Sequence, residues 1–236
     1  MAGGRGERMR ASGEPVPKPL VPVARTPLIE HNVRLLLGAD LADIVVAVRA
    51  DDDAVTTFCH ERLAPVVAAR GGSLSVLAEP RPLGNAGAAG LLRDRAANVV
   101  MVYADNLTVL DLRTVVAAHR DRAADLTLAT HEHPFRLPYG ALTLDGDRVT
   151  AYREKPQVTV TVASAVCVLG PVALAAIDPA HPTGLSDLTT TLLDSGATVI
   201  AHPHDDGWVD VNSTSSLAEA EELVAAHPDT FPWSRA

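Results

Sequence analysis

Short apolar runs alternate with helix-forming segments along the first half of this 236-residue chain. Ile44–Val48 and Val99–Tyr103 are apolar throughout, as expected of strands buried on both faces of a parallel sheet, and Leu74–Ala78 is a third strand candidate. Pro27–Gly38 and Asp51–Ala69 carry helix start and stop signals between them. This order predicts an α/β fold, a Rossmann-like three-layer sandwich with a mostly parallel central sheet.

The pattern changes at about residue 137, where alternating and β-branched segments replace helical ones. Tyr139–Leu144 and Arg148–Tyr152 flank an Asp-Gly turn and predict a hairpin. Val158–Leu169 is a longer β-rich segment. We therefore expect one domain over residues 1–236, with an α/β half at 1–136 and a half at 137–236 that contains a β-rich insertion.

The chain opens with a glycine-rich, basic segment. Gly3, Gly4 and Gly6 allow backbone N–H groups to face a ligand closely, and successive N–H groups make an anion-binding concavity. Arg8 and Lys18 add side chains suited to phosphate oxygens, and prolines on both sides of Lys18 stiffen its presentation. The segment predicts a polyphosphate-binding loop, although a frayed basic terminus gives a similar composition.

The spacing of this segment, GGxGxR followed by nine residues and KPLVPV, resembles the opening of the sugar-phosphate nucleotidyltransferases. The resemblance is greatest to guanylyltransferases of the heptose-1-phosphate or mannose-1-phosphate type. It implies an NTP on the glycine loop, with Arg8 and Lys18 contacting its phosphates. In that family a short apolar strand precedes the loop, whereas Met1 stands in its place here. The first strand is therefore missing from the sequence, so either the start is assigned too late or another segment takes the place of the strand.

A second motif, Glu79 to Ala88, resembles the family's turn ending in LGxxGA. The resemblance implies that Gly84 lets a nucleobase lie against the backbone and that Glu79 reads the base edge. A carboxylate only accepts hydrogen bonds, and guanine offers two adjacent donors, so Glu79 favours GTP. A solvated glutamate on an exposed loop is the alternative interpretation.

Two aspartates follow apolar segments. Asp105 comes at the end of the Val99–Tyr103 strand, at the edge where α/β sheets bind ligands, although Asp there also suits a helix N-cap. Asp210 lies between two valines in a W-x-D element. The resemblance implies that both aspartates bind Mg²⁺. We expect Asp105 and Asp210 to converge on one cation beside the N-terminal segment.

The hairpin continues into an EKP sequence. By the resemblance, Lys155 holds the sugar-1-phosphate, Glu154 accepts from sugar hydroxyls, and Gly140 belongs to the same sugar-binding part. An exposed charged turn is the ordinary interpretation of such residues in isolation. Ala163–Ala165 departs from the Asn-Ala-Gly of many relatives, which affects the expected sugar contacts.

The net charge restricts the classes of partner that the chain is expected to bind. The formal charge of −9 disfavours nucleic-acid and anionic-membrane surfaces while allowing a local basic site for a nucleotide. No apolar run reaches membrane-spanning length and no signal peptide is visible, so we expect a cytoplasmic protein.

Cys59 and Cys167 lie in apolar stretches and suggest reduced core residues. His131-Glu-His133 lacks a third ligand at a recognisable spacing and stays unassigned. A homo-oligomer is compatible with the sequence.

The expected activity is Mg²⁺-dependent transfer of a nucleotidyl group, GTP favoured, to a sugar-1-phosphate. Uridylyl or thymidylyl transfer to a hexose-1-phosphate is the nearest alternative. A non-catalytic nucleotide-sugar sensor is an alternative of another class, supported by the absent strand and by Ala163–Ala165. Cytidylyl transfer to a phosphorylated alcohol is disfavoured by the EKP and W-x-D elements.

Overall fold

The structure is a computed structural model that describes residue 1 and residues 16–235. Its helices are α1 (Leu28–Gly38), α2 (Asp53–Phe58), α3 (Ala64–Ala68), α4 (Leu112–Asp121), α5 (Pro171–Ala176), α6 (Leu185–Asp194) and α7 (Thr214–Ala226). A π-helical turn over Cys59–Leu63 joins α2 to α3, and 3₁₀ turns cover Lys18–Leu20, Gly87–Leu92 and Pro232–Arg235. None of the helices described is long and apolar enough to cross a bilayer.

The strands are β1 (Pro22–Val23), β2 (Thr26–Pro27), β3 (Asp43–Arg49), β4 (Ser73–Glu79), β5 (Val99–Val102), β6 (Asn106–Thr108), β7 (Leu126–Arg136), β8 (Ala141–Asp145), β9 (Arg148–Arg153), β10 (Gln157–Leu169), β11 (Val199–Pro203) and β12 (Trp208–Asp210). The larger sheet has the order β11-β7-β10-β5, and β3 pairs with β4 in parallel. Only β10 opposes its neighbours in the larger sheet, because it pairs antiparallel with both β5 and β7. The predicted α/β class with a mostly parallel sheet is confirmed.

Among the described residues, no strand lies between β3 and β5. Met1 alone stands beside β5, where its ammonium donates to the Val102 carbonyl at 2.7 Å and its carbonyl accepts from the Ala104 N–H at 2.9 Å. This is the bonding of one residue in a parallel ladder. An apolar cavity of about 80 Å³ continues from Met1 between β3 and β5. Burial in this gap lowers the pKa of the Met1 ammonium to about 6.

Apolar residues from strands and helices fill the core on both sides of this gap. Val46 and Val48 of β3 pack with Ile29 and Val33 of α1 and with the α2–α3 helices. The larger sheet packs against α5 and α6 in a separate cluster. Burying both faces of the strands explains why their sequences are continuously apolar. Both cysteines are buried free thiols, as predicted, and burial raises the pKa of Cys59 to about 11.

Two local sequence patterns give wrong boundaries. The apolar pattern of Leu126–Thr130 predicts a strand that stops at Thr130, but β7 continues to Arg136, so His131-Glu-His133 belongs to it. The spacing of Ser216 and Glu219 predicts a capping box there, but the last helix starts earlier, at Thr214. Ser213 is its N-cap and accepts from the Ser216 N–H at 3.1 Å. Several adjacent serines and threonines can serve as a cap, and the local sequence does not choose between them.

Candidate functional site

A cleft of about 630 Å³ opens where β3, β4 and β5 end. Residues from the three strand ends line it, together with Lys18 and Asp210 from distant parts of the chain. The carboxyl ends of parallel strands form the edge at which open α/β sheets bind ligands. The gap between β3 and β5 therefore lies directly behind the candidate site.

Lys18 and the two predicted metal-binding aspartates meet in this cleft. The Lys18 Nζ lies 2.9 Å from Asp105 Oδ2 and 3.6 Å from Asp210 Oδ1. A 3₁₀ turn presents Lys18, with Pro17 as its N-cap and Pro19 as its next residue. Two prolines limit the backbone freedom of this turn, so the ammonium is directed from a stiff support.

Pairing of two short strands brings the aspartates together. In the antiparallel ladder of β6 and β12, Asp210 lies opposite Asn106, the residue after Asp105. The Val211 N–H also donates to the Asp105 carbonyl at 3.0 Å. Because both strands are short and fixed at both ends of the pairing, the two carboxylates face one point of the cleft.

The oxygen atoms of these carboxylates fit a divalent cation. Asn106 donates to Asp105 Oδ1 at 2.7 Å, and Asn212 donates to Asp210 Oδ2 at 2.8 Å. Asp210 Oδ1 is buried and has no hydrogen-bond partner. Within the described residues, no group of three or more His, Cys, Asp or Glu forms a metal cluster. Two carboxylates suit Mg²⁺, which takes its remaining ligands from water and substrate phosphates.

Glu79 lines the cleft, but it is not a solvated loop residue. It is the last residue of β4, it is only 5% exposed, and its Oε2 accepts from the Leu83 N–H at 3.2 Å. The carboxylate therefore stabilises the turn that follows the strand as well as facing the cleft. A buried carboxylate at this place is held in one orientation, which a base-reading group requires.

The structure shows why position 84 requires a glycine, which the sequence alone did not reveal. Its φ is +79°, and a Cβ there would lie 2.5 Å from the Thr183 carbonyl oxygen. Hydrogen bonds from Thr183 N–H to the Leu83 carbonyl and from Ala86 N–H to the Thr183 carbonyl join the two loops. The glycine allows this close backbone contact and also keeps the wall of the cleft free of a side chain.

The predicted sugar-phosphate residues lie on the hairpin side and do not line the cleft. Glu154 accepts from the Tyr152 hydroxyl at 2.6 Å, and a Cβ on Gly140 would overlap that same hydroxyl. Lys155 occupies a turn with φ +43°. Gly3, Gly4, Gly6 and Arg8, predicted to bind the triphosphate, lie outside the described residues.

Sequence interpretation missed three charged residues of the cleft. Arg49 is the last residue of β3 and pairs through two hydrogen bonds with Asp51, which follows the strand, and Arg81 follows β4. These residues come at or after the end of an apolar run, which is the sequence pattern that identified Asp105 as a candidate site residue. Arg49 and Arg81 add positive charge to a wall that would otherwise be largely acidic.

A polar cluster under β12 replaces the Asn-Ala-Gly of the resembling family. The buried Ser164 hydroxyl lies 2.8 Å from both His131 Nδ1 and His204 Nε2. The His131 ring packs on Trp208, two residues before Asp210, with 4.8 Å between ring centroids. Burial lowers the pKa of both histidines, and their mutual proximity lowers that of His131 further. These neutral rings support the strand that carries Asp210.

Comparisons with known proteins show which family and which relatives the chain resembles. A family model described as nucleotidyl transferase matches residues 1–227. D-glycero-alpha-D-manno-heptose 1-phosphate guanylyltransferase of Aneurinibacillus thermoaerophilus is 27% identical over 157 residues, which are 66% of this chain and 66% of that protein. UTP–glucose-1-phosphate uridylyltransferase of Synechocystis sp. is 27% identical over 238 residues, covering 93% of this chain and 61% of the relative.

Solved structures share the fold. HddC from Yersinia pseudotuberculosis, solved in complex with GMP-PN, superposes with a TM-score of 0.71 at 20% identity and covers 94% of this chain and 96% of that one. The chain thus spans nearly the whole of this solved structure. It spans less than two thirds of the length of the two curated relatives.

Proposed function

Because the chain belongs to the nucleotidyl transferase family, we propose that it transfers a nucleotidyl group from an NTP to a sugar-1-phosphate and releases pyrophosphate. The observation that carries this proposal is the meeting of Lys18, Asp105 and Asp210 at the cleft. Two carboxylates and an ammonium in a cleft at the ends of β3, β4 and β5 are the groups needed to hold a metal-bound triphosphate.

The reaction needs no protein nucleophile. A phosphate oxygen of the sugar-1-phosphate attacks the α-phosphorus in line, a new P–O bond forms, and the bond to the β-phosphate oxygen breaks with pyrophosphate leaving. Lys18, together with Arg8, neutralises the triphosphate, and Asp105 and Asp210 hold Mg²⁺. The cation, when bound, neutralises charge on the phosphate oxygens. Catalysis then consists of positioning and charge stabilisation.

The base preference rests on Glu79. One of its oxygens is engaged by the Leu83 N–H, and its carboxylate is fixed at the end of β4. An acceptor held in one place favours guanine, whose N1–H and N2–H₂ are adjacent donors. The relatives include one named for guanylyl and one named for uridylyl transfer, so uridylyl or thymidylyl transfer is the alternative.

The sugar half of the proposal rests on the hairpin. Lys155 would hold the incoming phosphate and Glu154 would accept from sugar hydroxyls, with Gly140 in the same sugar-binding part. The division into a nucleotide half, 1–136, and a sugar-phosphate half, 137–236, belongs to the same proposal. A cytoplasmic location, where nucleoside triphosphates are made, would fit this chemistry and stays a prediction.

Pyrophosphate release with a panel of NTPs and sugar-1-phosphates tests the activity. We expect turnover only with a divalent cation, and Asp105→Asn should lower it at least about 100-fold. Asp111→Asn is the matched control, because Asp111 caps α4 and Asn caps equally well. Nucleotide binding without turnover in the wild type would instead favour a nucleotide-sugar sensor. Full activity of Asp105→Asn would remove this residue from the mechanism.

Glu79→Gln tests the base preference separately. Glutamine keeps a side-chain acceptor for the Leu83 N–H, so the turn should persist with a similar melting temperature. The new NH₂ group opposes the donors of guanine, so the ratio of kcat/KM for GTP over UTP should fall at least about tenfold. A wild-type preference for UTP or dTTP, or an unchanged ratio in the variant, contradicts the role of Glu79.

A further inference from the structure

A β-arm extends from the larger sheet, and beyond its base at His131, which packs on Trp208, most of its residues are exposed in the described chain. We define the arm as residues 131–162: the outer halves of β7 and β10 and the β8–β9 hairpin that joins them. The β7–β10 pairing continues to Arg136 and Gln157, and the hairpin follows directly. Every residue of β9 is exposed, as are all residues of β8 after Ala141.

One face of this hairpin is apolar. Leu142 lies opposite Tyr152, and Leu144 lies opposite Val149. Directly opposed residues share a face, and alternate residues of β8 do as well, so all four side chains point to the same side. Their exposures are 53% and 63% for the first pair and 58% and 52% for the second. Thr143 and Ala151 lie on the other face.

The exposed apolar area of the hairpin face is about half of what one partner of a standard interface buries. At roughly 100 Å² each, its four side chains offer about 400 Å², against roughly 800 Å² per partner. Phe135, Tyr139 and Val160 of the arm are also exposed, outside the two hairpin strands. A two-stranded hairpin with an open apolar face is marginal in water, so a partner that covers it would stabilise it.

The charges of the arm are divided between its two ends. Asp145 and Asp147 lie at the tip, next to Arg148 at the start of β9. Arg136, Arg153 and Lys155 lie at the base. With Glu132 and Glu154, the arm carries four acidic and four basic residues, while the whole chain carries a net charge of −9. None of these eight forms an ion pair with another described residue.

We propose that a second copy of this chain covers the arm. The two arms pack face to face and antiparallel about a two-fold axis, with Leu142, Leu144, Val149 and Tyr152 of each copy in the interface. The acidic tip of one arm then meets the basic base of the other at the rim, where long side chains reach past a two-stranded sheet. The arm is the charge-balanced part of an acidic protein, so two copies approach there without net repulsion.

This arrangement has a consequence for the site on the hairpin. Glu154 and Lys155 lie at the base of the arm, so the partner's tip would lie beside them. The dimer itself depends only on the arm and not on the proposed activity. Its measurement uses the protein alone, without nucleotide or sugar, so its failure and that of the proposed function are distinguishable.

Mass in solution tests the dimer. Light scattering on the full chain at about 1 to 100 µM should give about twice 24.8 kDa. Leu144→Lys places a charge on the apolar face and should raise the dimer Kd at least about tenfold. Thr143→Lys is the matched control on the opposite face and should leave the mass unchanged. A wild-type monomer throughout this range, or equal effects of the two variants, overturns the proposal.

A charge exchange tests the antiparallel arrangement. Asp147 at the tip and Lys155 at the base both lie in turns, so their substitution leaves the ladder intact. Asp147→Lys and Lys155→Asp should each weaken the dimer, and the double variant should restore the wild-type Kd because the opposite charges meet again. Circular dichroism checks that each variant is folded. A double variant that is no tighter than the single variants rules out the tip-to-base contact.

Discussion

The Lys18 ammonium lies between two carboxylates, at 2.9 Å from Asp105 and 3.6 Å from Asp210. In the absence of substrate, the Lys18 ammonium supplies positive charge next to both carboxylates. A bound divalent cation would share the same oxygen atoms, so the ammonium and the cation compete electrostatically. An incoming triphosphate adds negative charge that both cations can neutralise. Lys18 therefore has opposite effects on binding of the metal alone and on turnover.

Lys18→Met separates these effects, because methionine keeps much of the stem and removes the charge. Loss of a unit charge about 4 Å from a divalent ion should tighten Mn²⁺ binding to the substrate-free protein about thirtyfold, as measured by electron paramagnetic resonance or calorimetry. Pyrophosphate release should fall at the same time. Arg34→Met, which removes the cation of the distant Glu30 pair, is the control. Unchanged or weaker Mn²⁺ binding in Lys18→Met would show that the ammonium does not compete for this site.

At the scale of elements, the end of β4 and the turn after it bring Glu79 and Gly84 into the cleft. The backbone of Thr183 holds this turn from outside through two hydrogen bonds. The conformation of the turn therefore depends on a segment about a hundred residues away. Any side chain at Gly84 would push the two loops apart and change the position of Glu79.

Gly84→Ala should lower stability by at least about 2 kcal/mol, because it combines a left-handed φ with a backbone clash. Gly196→Ala is a matched control: its φ is +76°, close to the +79° of Gly84, and a Cβ there meets no atom within 4 Å. It should cost only about 1 kcal/mol, the part due to φ. Denaturant unfolding measures both variants, and equal losses would show that the Thr183 contact adds nothing.

At the scale of the whole molecule, His31 links the two ends of the described chain. Its Nε2 donates to the Val23 carbonyl at 3.0 Å, and its Nδ1 accepts from Trp233 Nε1 at 3.1 Å. Because the indole N–H can only donate, the histidine must be neutral to keep this bond. Burial lowers the pKa of His31 below 6.5, and the same holds for His119, His131 and His204.

Stability should therefore depend on pH. In the unfolded chain these histidines take up a proton near pH 6.5, whereas the native state resists it, so stability is full above about 6.5 and decreases as the pH falls toward about 5. Urea unfolding at several pH values measures this loss. His31→Gln keeps one donor and one acceptor and should reduce the slope, while His60→Gln on the surface should not. A flat profile in the wild type would contradict the neutral pairing.

Much of the fold was predictable because strands and helices are encoded in short windows. The apolar runs that became β3 and β5 and the Pro27 to Gly38 helix were found from burial pattern and stop signals alone. The length of β7 was not predictable from the sequence. Beyond Thr130 the residues of this strand are mostly polar, and pairing with β10 keeps them extended. The orientation of Glu79 was missed for a similar reason, because its burial comes from the turn that folds back over it.

By itself, the sequence determined the α/β class, the family and the strand-end position of Asp105, because burial period, turn residues and motif spacing are local properties. Tertiary structure decided that Lys18 and Asp210 join Asp105. In the part of the chain that the structure describes, it also decided that no strand lies between β3 and β5 and that most of the arm is exposed. Each of these depends on contacts between segments far apart in the chain. Their free energy arises only when the whole core is assembled, so no local pattern records them.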